Sequence, residues 1–194
     1  MNIYVSGGSK CGKSEFAENT AMDLSKEKQL PLYYVATMRP KDQEDMKRIE
    51  KHQISRQHKG FETLELKEPQ DFESVLKKRT FSVPFSRQAN DQLPVQLPGV
   101  FLVDSVTALL ENTIFDEEYN VAENAWKEVT GSLKIFMEVA ENVVFVSDFV
   151  YSDGIEYDSV TETYRKNLAM CDRVLAEKCD QVYQVINGCP VQWK

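Results

Sequence analysis

Runs of apolar residues alternate with amphipathic stretches along the chain, and they predict alternating strands and helices. Apolar runs predict strands at residues 2–6, 32–37, 100–104, 142–147 and 181–186, and strict alternation predicts a short strand at residues 61–66. Helical patterns cover residues 14–26, 42–58, 71–78, 122–140 and 159–177, and another helix is expected from about residue 107. Runs of Val and Ile are typical of strands covered on both faces. We therefore expect an α/β fold with one mainly parallel sheet and helices on both faces.

One stretch has the composition of a long loop. Residues 80–99 contain three prolines, an asparagine and a glycine, and no convergent set of charged side chains. Loops of this length inside a compact domain are usually functional or poorly ordered. We expect a loop insertion that is disordered or forms a peripheral flap, in a single domain that spans residues 1–194.

Composition narrows the class of protein. The 194 residues are 42% hydrophobic, which suits one α/β domain, and the net charge is −8. An acidic chain of this kind argues against a nucleic-acid partner, because binding to a phosphate backbone needs a basic surface. No apolar run is long enough to span a membrane and no signal peptide precedes the first strand, so we expect a cytoplasmic protein. The four cysteines form no zinc-binding pattern and are expected to be reduced thiols.

The turn between the first strand and the first helix carries a phosphate-binding motif. Its sequence, Gly7-x-x-x-x-Gly12-Lys13-Ser14, matches the Walker A pattern in the strand, loop and helix context that the motif requires. Glycines allow backbone N–H groups to approach phosphate at a helix N-terminus. Lys13 can reach the β- and γ-phosphates, and the Ser14 hydroxyl is placed to ligate Mg²⁺. The alternative is a plain glycine turn that opens a helix.

The strand at residues 100–104 ends in a carboxylate. Asp104 has the form of a Walker B aspartate, which could hold Mg²⁺ or its water across from Ser14. Asp is also a favoured helix N-cap, so Asp104 could instead cap the helix that begins near residue 107. The sequence leaves both roles open.

The predicted helix at residues 42–58 carries a second set of polar residues. Glu44, Arg48, His52 and Arg56 recur every four positions and therefore share one face. Two guanidinium groups beside an imidazole could bind an anion, and a neutral imidazole could attack an α-phosphate. The alternative is a solvated face with a Glu44–Arg48 ion pair. His58 has no companion pattern and is expected at the surface.

Several segments together resemble one family. These are residues 7–18 (Gly-Gly-x-x-x-Gly-Lys-Ser-x-x-Ala-Glu), 34–37 (Tyr-Val-Ala-Thr), the Arg-Ile-x-x-His-x-x-x-Arg element at 48–56, Thr63-x-Glu65, residues 102–107 with Asn112, and the ending at 185–190. The chain resembles adenosylcobinamide kinase/adenosylcobinamide-phosphate guanylyltransferase over nearly its whole length apart from residues 80–99. The resemblance implies a RecA-like P-loop NTPase fold and two activities in one site. One activity phosphorylates adenosylcobinamide with a nucleoside triphosphate, and the other transfers GMP from GTP to that phosphate through a histidine.

The resemblance also implies site residues, cofactors and partners. His52 falls at the guanylylated histidine, Lys13 is the other expected catalytic residue, Arg48 and Arg56 would stabilise the anion, and Ser14 and Asp104 would hold Mg²⁺. ATP or GTP would be the phosphoryl donor, the acceptor would be a corrinoid, and family members form homotrimers. The positions where family members bind the nucleotide are Gly7, Gly8, Ser9, Lys10, Cys11, Gly12, Lys13, Ser14, Val35, Ala36, Thr37, Gln53, Ile54, Ser55, Arg56, Glu65 and Asp104.

The chain departs from the family pattern in a few places. Where the family usually has Asn-Glu-Val-Gly-x-Gly after the fourth strand, residues 148–154 read Asp-Phe-Val-Tyr-Ser-Asp-Gly, without the glutamate. The family's Phe-Arg-Asp and Asn-Gln become Tyr164-Arg165-Lys166 and Asp172-Arg173, and Phe61 replaces a tryptophan. These changes lie on the side expected to receive the corrinoid. Our hypothesis is the bifunctional enzyme; the alternatives are a small-molecule P-loop kinase without guanylyl transfer and a non-enzymatic nucleotide-binding regulatory module.

Overall fold

The described residues form a seven-stranded sheet with the strand order β3-β2-β4-β5-β1-β6-β7. The computed structural model describes residues 1–72, 97–115 and 121–194, and within these ranges it gives no side chains for Arg48 and Ser55. All neighbouring strands are parallel except β6 and β7, which form an antiparallel hairpin. The strands are β1 (Asn2–Gly7), β2 (Leu32–Ala36), β3 (Glu62–Glu65), β4 (Leu97–Asp104), β5 (Ala140–Asp148), β6 (Gln181–Ile186) and β7 (Cys189–Gln192).

Helices cover both faces of the sheet. They are α1 (Lys13–Lys28), α2 (Gln43–Arg56), α3 (Val106–Ile114), α4 (Ala125–Val139) and α5 (Ser159–Lys178). Side chains of successive strand residues alternate between two buried clusters, as a period of two requires. One cluster joins Phe101 and Phe145 to α3, α4 and α5, and the other joins Ile3 and Leu102 to α1. The predicted α/β fold with doubly covered, mainly parallel strands is confirmed.

Most predicted elements are present with shifted ends. The helix expected at residues 42–58 is α2, and the Asp42 side chain caps it by accepting a hydrogen bond from the N–H of Asp45 at 2.8 Å. The expected helix at 122–140 is shorter at both ends, since it begins at Ala125 and gives way to β5 at Ala140. Residues 181–186 were expected to be the last strand, but the left-handed backbone of Asn187 and Gly188 turns the chain into β7. An Asn-Gly pair of this kind is the standard connection of a two-residue hairpin.

The predicted loop at residues 80–99 is wrong at its C-terminal end. Residues 97–99 belong to β4, and the register between β4 and β5 shifts between Leu97 and Val100. Such an irregularity accommodates Pro98 and Gly99 inside a strand. Residues 80–96 of this prediction, and residues 73–78 of the expected helix at 71–78, lie outside the described residues. In the part that is described, no helix combines the length and the apolar character needed to cross a membrane.

Candidate active site

The turn expected to bind phosphate follows β1 and opens α1. Gly12 has a left-handed backbone (φ 91°) and stands at the N-cap of α1, where no side chain caps the helix. A Cβ on Gly7 would lie 2.7 Å from the backbone carbonyl oxygen of Val185 and 2.5 Å from the Cys11 sulfur, so only glycine fits there. The hairpin between β6 and β7 supports the turn from outside, since the N–H of Gly188 donates to the carbonyl of Cys11 at 2.8 Å. The first backbone N–H groups of α1 are therefore free of side-chain caps, as phosphate binding at a helix N-terminus requires.

Lys13 is held inside the cleft by a carboxylate from a neighbouring strand. Its ammonium lies 2.6 Å from Asp148 Oδ1 at the end of β5, and it also donates to the carbonyl of Gly8 at 3.3 Å. The N–H of Asp148 donates to Thr107 Oγ1 at 2.8 Å, which fixes the end of the strand. Asp148 is therefore a direct partner of the lysine that was expected to contact phosphate.

Asp104 ends β4 and faces the same cleft. Its Oδ2 accepts a hydrogen bond from the Tyr34 hydroxyl at 2.9 Å. Burial raises the pKa of Asp104 above its usual value, while the Tyr34 hydrogen bond and the charges of Arg56 and Lys13 oppose that rise. The alternative role of Asp104 as a helix cap is wrong, because Ser105 caps α3 by accepting from the N–H of Ala108 at 3.1 Å.

The edge beside Asp104 is tied together by hydrogen bonds. Thr37 Oγ1 accepts from the N–H of Ser105 at 2.8 Å and donates to the carbonyl of Ser105 at 2.7 Å. The Asn112 amide donates to the carbonyls of Thr37 at 2.8 Å and Lys67 at 2.7 Å. These bonds join the ends of β2, β3 and β4, so the position of Asp104 does not depend on its own contacts alone.

Arg56, at the end of α2, is buried instead of projecting freely into solvent. Its guanidinium carbon lies 3.4 Å from the centroid of the Tyr34 ring, and Nη1 lies 3.8 Å from Glu18 Oε1 on α1. Glu18 also pairs with Lys59 at 2.5 Å. Among the described atoms, Arg56 Nη1 is buried and makes no hydrogen bond, and its charge faces the Glu18 carboxylate.

These elements surround one large cleft at the carboxyl ends of the parallel strands, with a volume of about 1060 Å³. Its position follows the general rule that ligands of such sheets bind where the strands end. Met46 and Ile49 contribute apolar surface from α2. The cleft thus combines positive groups, carboxylates and an apolar wall within one space.

Most of the predicted site residues meet in this cleft. His52 and Gln53 line it from the exposed side of α2. The other predicted residues that line it are Ser9, Lys10, Lys13, Ser14, Ala36, Arg56, Glu65 and Asp104. Gly7, Gly8, Cys11 and Gly12 form the backbone of the turn itself.

Other predicted residues lie elsewhere. The side chains of Val35 and Thr37 are fully buried and do not line the cleft, so nucleotide binding at these two positions stays a prediction. Ile54 is 56% exposed on α2 and does not line the cleft. The predicted roles of the Arg48 and Ser55 side chains lie outside what the structure describes. His58 is exposed, as expected.

Asp148 and Tyr34 line the cleft but were not among the predicted site residues. Asp148 ends β5 as Asp104 ends β4, so the rule that identified one carboxylate identifies the other. Tyr34 offered a weaker signal, because an aromatic residue in a buried strand is ordinary core. Its partner Asp104 stands 70 positions later in the chain, which no local pattern reveals.

A buried polar cluster lies beneath residues 148–154. Tyr151 donates from its hydroxyl to Asp172 Oδ2 at 3.0 Å, and Asp172 is only 4% exposed. Burial raises the pKa of Asp172 to about 6, against the lowering effect of hydroxyl donors that include Tyr151. Burial also raises the pKa of the neighbouring Cys171 thiol to about 12. The structure has no disulfides: all four cysteines are free thiols.

Solved structures of other proteins have a similar fold. The fold is similar to the "ATPase Domain of G40P", with a TM-score of 0.51 and 12% identity, over 94% of this chain and 68% of that one. The flagellar accessory protein FlaH from Methanocaldococcus jannaschii gives a TM-score of 0.41 and 13% identity, over 100% and 77% of the two chains. A search of curated proteins gives no match.

The first of these similarities supports the P-loop NTPase fold, at an identity that shows the fold alone. The model of the CobU family, described as "Cobinamide kinase / cobinamide phosphate guanyltransferase", matches residues 3–193. That match covers nearly the whole chain and includes the turn, Asp104 and the helix that carries His52. The protein therefore belongs to the CobU family of cobalamin-biosynthesis enzymes.

Proposed function

We propose that this protein phosphorylates the aminopropanol hydroxyl of adenosylcobinamide and then transfers GMP from GTP to that phosphate through a guanylyl-histidine at His52. The observation that carries the proposal is the shared cleft, which is lined by Lys13, Asp104 and His52 together. The family supplies the two activities; the residue roles are inferred from the contacts in the cleft.

In the first transfer, the substrate hydroxyl oxygen attacks the γ-phosphorus of the triphosphate. The bond from that phosphorus to the β–γ bridging oxygen breaks, the nucleoside diphosphate leaves and the hydroxyl proton passes to water. Lys13 and the backbone N–H groups of the turn stabilise the charge on the phosphate oxygens. Because the transition state of phosphoryl transfer is loose, positioning and charge matter more than a strong base.

In the second transfer, a ring nitrogen of neutral His52 attacks the α-phosphorus of GTP and pyrophosphate leaves. A phosphate oxygen of the phosphorylated substrate then attacks the same phosphorus, the P–N bond breaks and His52 is regenerated. Arg56 is suited to hold the developing negative charge, since its guanidinium is positively charged and the residue lines the cleft beside His52. We assign Arg48 the same role from its place on α2.

The oxygen donors Ser14 and Asp104 fit a magnesium ion. A hydroxyl and a carboxylate are the ligands that this hard cation prefers, and both residues line the cleft beside Lys13. The described residues contain no cluster of three metal-binding side chains, so phosphate oxygens and water would complete the coordination. When bound, the ion supplies positive charge to the phosphates.

We also propose that adenosylcobinamide enters from the side of residues 148–154 and that the protein assembles as a homotrimer. The segment borders the cleft through Asp148 and exposes Val150. Sedimentation equilibrium tests the assembly, because a trimer has three times the mass of the 22.3 kDa chain.

The test of the proposed function uses GTP labelled at the α-phosphate, followed by denaturing electrophoresis. We expect an acid-labile, alkali-stable label on the native protein and on His58→Ala, and none on His52→Ala. His58 is the matched control because it is the same residue type, exposed, and outside the cleft. A label that persists in His52→Ala overturns the assignment of the nucleophile.

A second assay separates the two transfers. With γ-labelled triphosphate and adenosylcobinamide, we expect His52→Ala to retain phosphoryl transfer and Lys13→Ala to lose it. Phosphoryl transfer by a native protein that never acquires the α-label would favour the kinase without guanylyl transfer. Nucleotide binding with neither transfer would favour a regulatory module.

A further inference from the structure

One buried tyrosine touches both halves of the candidate active site. Tyr34 is 6% exposed and lies in the middle of β2, on the sheet face covered by α1. Its hydroxyl donates to Asp104 Oδ2 at 2.9 Å, and its ring lies 3.4 Å from the guanidinium carbon of Arg56. The same side chain therefore holds the carboxylate assigned to metal binding and the end of the helix that carries His52.

The contacts continue beyond the ring to the helix that follows the phosphate-binding turn. Glu18 on α1 is 5% exposed and lies 3.8 Å from Arg56 Nη1 and 2.5 Å from Lys59 Nζ. Buried charges are stable only when they are paired, so this arrangement ties α1 to the C-terminal end of α2. Tyr34 lies between this ion-pair cluster and Asp104.

Packing alone does not account for a tyrosine at this position. The preceding residue, Tyr33, lies on the opposite face of β2 and stacks on Phe101 with a centroid distance of 4.9 Å. Tyr34 also packs edge-on against Phe61, at a centroid distance of 6.1 Å, but it adds a polar contact through its hydroxyl and a cation–π contact through its ring. These contacts depend on different parts of the side chain, so they can be removed separately.

We propose that Tyr34 is a positioning residue for both transfers. Its hydroxyl orients the Asp104 carboxylate toward the metal and phosphates, and its ring, through Arg56, fixes the end of α2 and hence the approach of His52 to the α-phosphate. The inference rests on the proposed function and deepens it by assigning one residue to the geometry of both steps. Partners of this kind, which orient a metal ligand, commonly change metal affinity or activity by about 10- to 100-fold when removed.

The test compares Tyr34→Phe, which removes only the hydroxyl, with Tyr34→Leu, which also removes the ring. Tyr33→Phe is the matched control, since it makes the same chemical change on the other face of β2. Affinity for Mn²⁺ in the presence of β,γ-imido-GTP, measured by electron paramagnetic resonance, reports on Asp104 without any turnover. The rate of His52 labelling at saturating Mg²⁺ reports on α2.

For Tyr34→Phe we expect Mn²⁺ affinity about 10-fold weaker than in Tyr33→Phe, a matching rise in the Mg²⁺ concentration needed for both transfers, and rates restored at saturating Mg²⁺. For Tyr34→Leu we expect His52 labelling to remain about 10-fold slow even at saturating Mg²⁺. Equal Mn²⁺ affinities in the two phenylalanine variants overturn the role of the hydroxyl. Full rescue of Tyr34→Leu by Mg²⁺ overturns the role of the ring.

Thermal melting and nucleotide binding establish that each variant is folded. If Tyr34→Leu does not fold, Tyr34→Met replaces it, because methionine also lacks the ring and its flexible side chain fills more of the vacated space. Failure of the proposed function is separately visible: native protein that neither labels His52 nor transfers phosphate contradicts that function, while the Mn²⁺ comparison still decides the role of the Tyr34 hydroxyl.

Discussion

Replacing Asp148 with asparagine should make triphosphate binding tighter. Asp148 Oδ1 lies 2.6 Å from the Lys13 ammonium, and their side chains are 29% and 11% exposed. A phosphate that binds the P-loop must share this ammonium with the carboxylate, and the two negative groups repel each other. Asparagine keeps the shape and the backbone hydrogen bond to Thr107, and it removes the charge.

The size of the effect follows from the distance. A phosphate oxygen about 2.8 Å from the ammonium on its far side would stand about 5 Å from the carboxylate oxygen. At an effective dielectric constant of about 20, two unit charges at that distance repel by about 3 kcal/mol. Partial exposure of Asp148 and rearrangement of the side chain reduce this value, and we expect about 1.4 kcal/mol, which is about a tenfold lower Kd.

The assay is a titration with a fluorescent GTP analogue at fixed ionic strength. Glu111→Gln is the control, because Glu111 lines the same cleft and carries the same charge, but it faces Lys41 at 3.7 Å instead of Lys13. We expect the Kd to fall about tenfold for Asp148→Asn and about twofold or less for the control. Unchanged or weaker binding by Asp148→Asn would refute the idea that Asp148 and phosphate compete for the Lys13 ammonium. It would indicate instead that the carboxylate helps to place Lys13.

Three further predictions concern stability and the shape of the site. Gly7→Ala should destabilise the fold by about 2 kcal/mol and abolish nucleotide binding, whereas Gly8→Ala should be tolerated in thermal melting, because a Cβ at Gly7 would lie 2.5 Å from a sulfur and one at Gly8 meets no atom within 4 Å. Burial raises the pKa of Asp172 to about 6, so the folded state binds the carboxyl proton more tightly than the unfolded state does. The free energy of unfolding therefore falls as the pH rises from about 4 to 6. Asp172→Asn should therefore raise the free energy of unfolding at pH 8 by about 2–3 kcal/mol and flatten that part of the pH profile; an unchanged profile would contradict the buried carboxyl. Asn112→Ala should cost about 2 kcal/mol in chemical denaturation because two carbonyls lose their donor, while Thr113→Ala, which loses only a bond within its own helix, should cost less than half of that.

Much of the fold could be predicted because its strands are covered on both faces. Burial on two faces turns each strand into a continuous apolar run, which is the clearest signal that a short sequence window can carry. The errors fall where this signal ends. Pro98 and Gly99 have loop composition, but pairing of β4 with β2 and β5 extends the strand through them. The strand β7 is exposed along its length, so no apolar run marks it.

The sequence motifs identified residues of the candidate site, but they did not predict the contacts between those residues. Walker-type residues stand at fixed offsets from a strand end, so Lys13, Ser14 and Asp104 follow from local pattern. The four-residue spacing of His52 and Arg56 places them on one helix face, but it does not reveal that the guanidinium lies on Tyr34 and beside Glu18. Those contacts depend on how α2 packs against β2 and α1, which only tertiary structure determines.

Under the proposed function, the pairing of positive groups with carboxylates would make triphosphate binding selective in a protein with a net charge of −8. Lys13 lies against Asp148, and Arg56 lies against Glu18, so the cleft offers these two cations already paired with carboxylates. The binding free energy of an anion is therefore reduced, because each cation that it contacts already interacts with a carboxylate. A weak or misplaced anion gains little from such an exchange, whereas a triphosphate also gains the backbone N–H groups of the turn. By this reasoning, removing a carboxylate should strengthen binding of simple phosphate or sulfate as well as of GTP, and so reduce the preference between them.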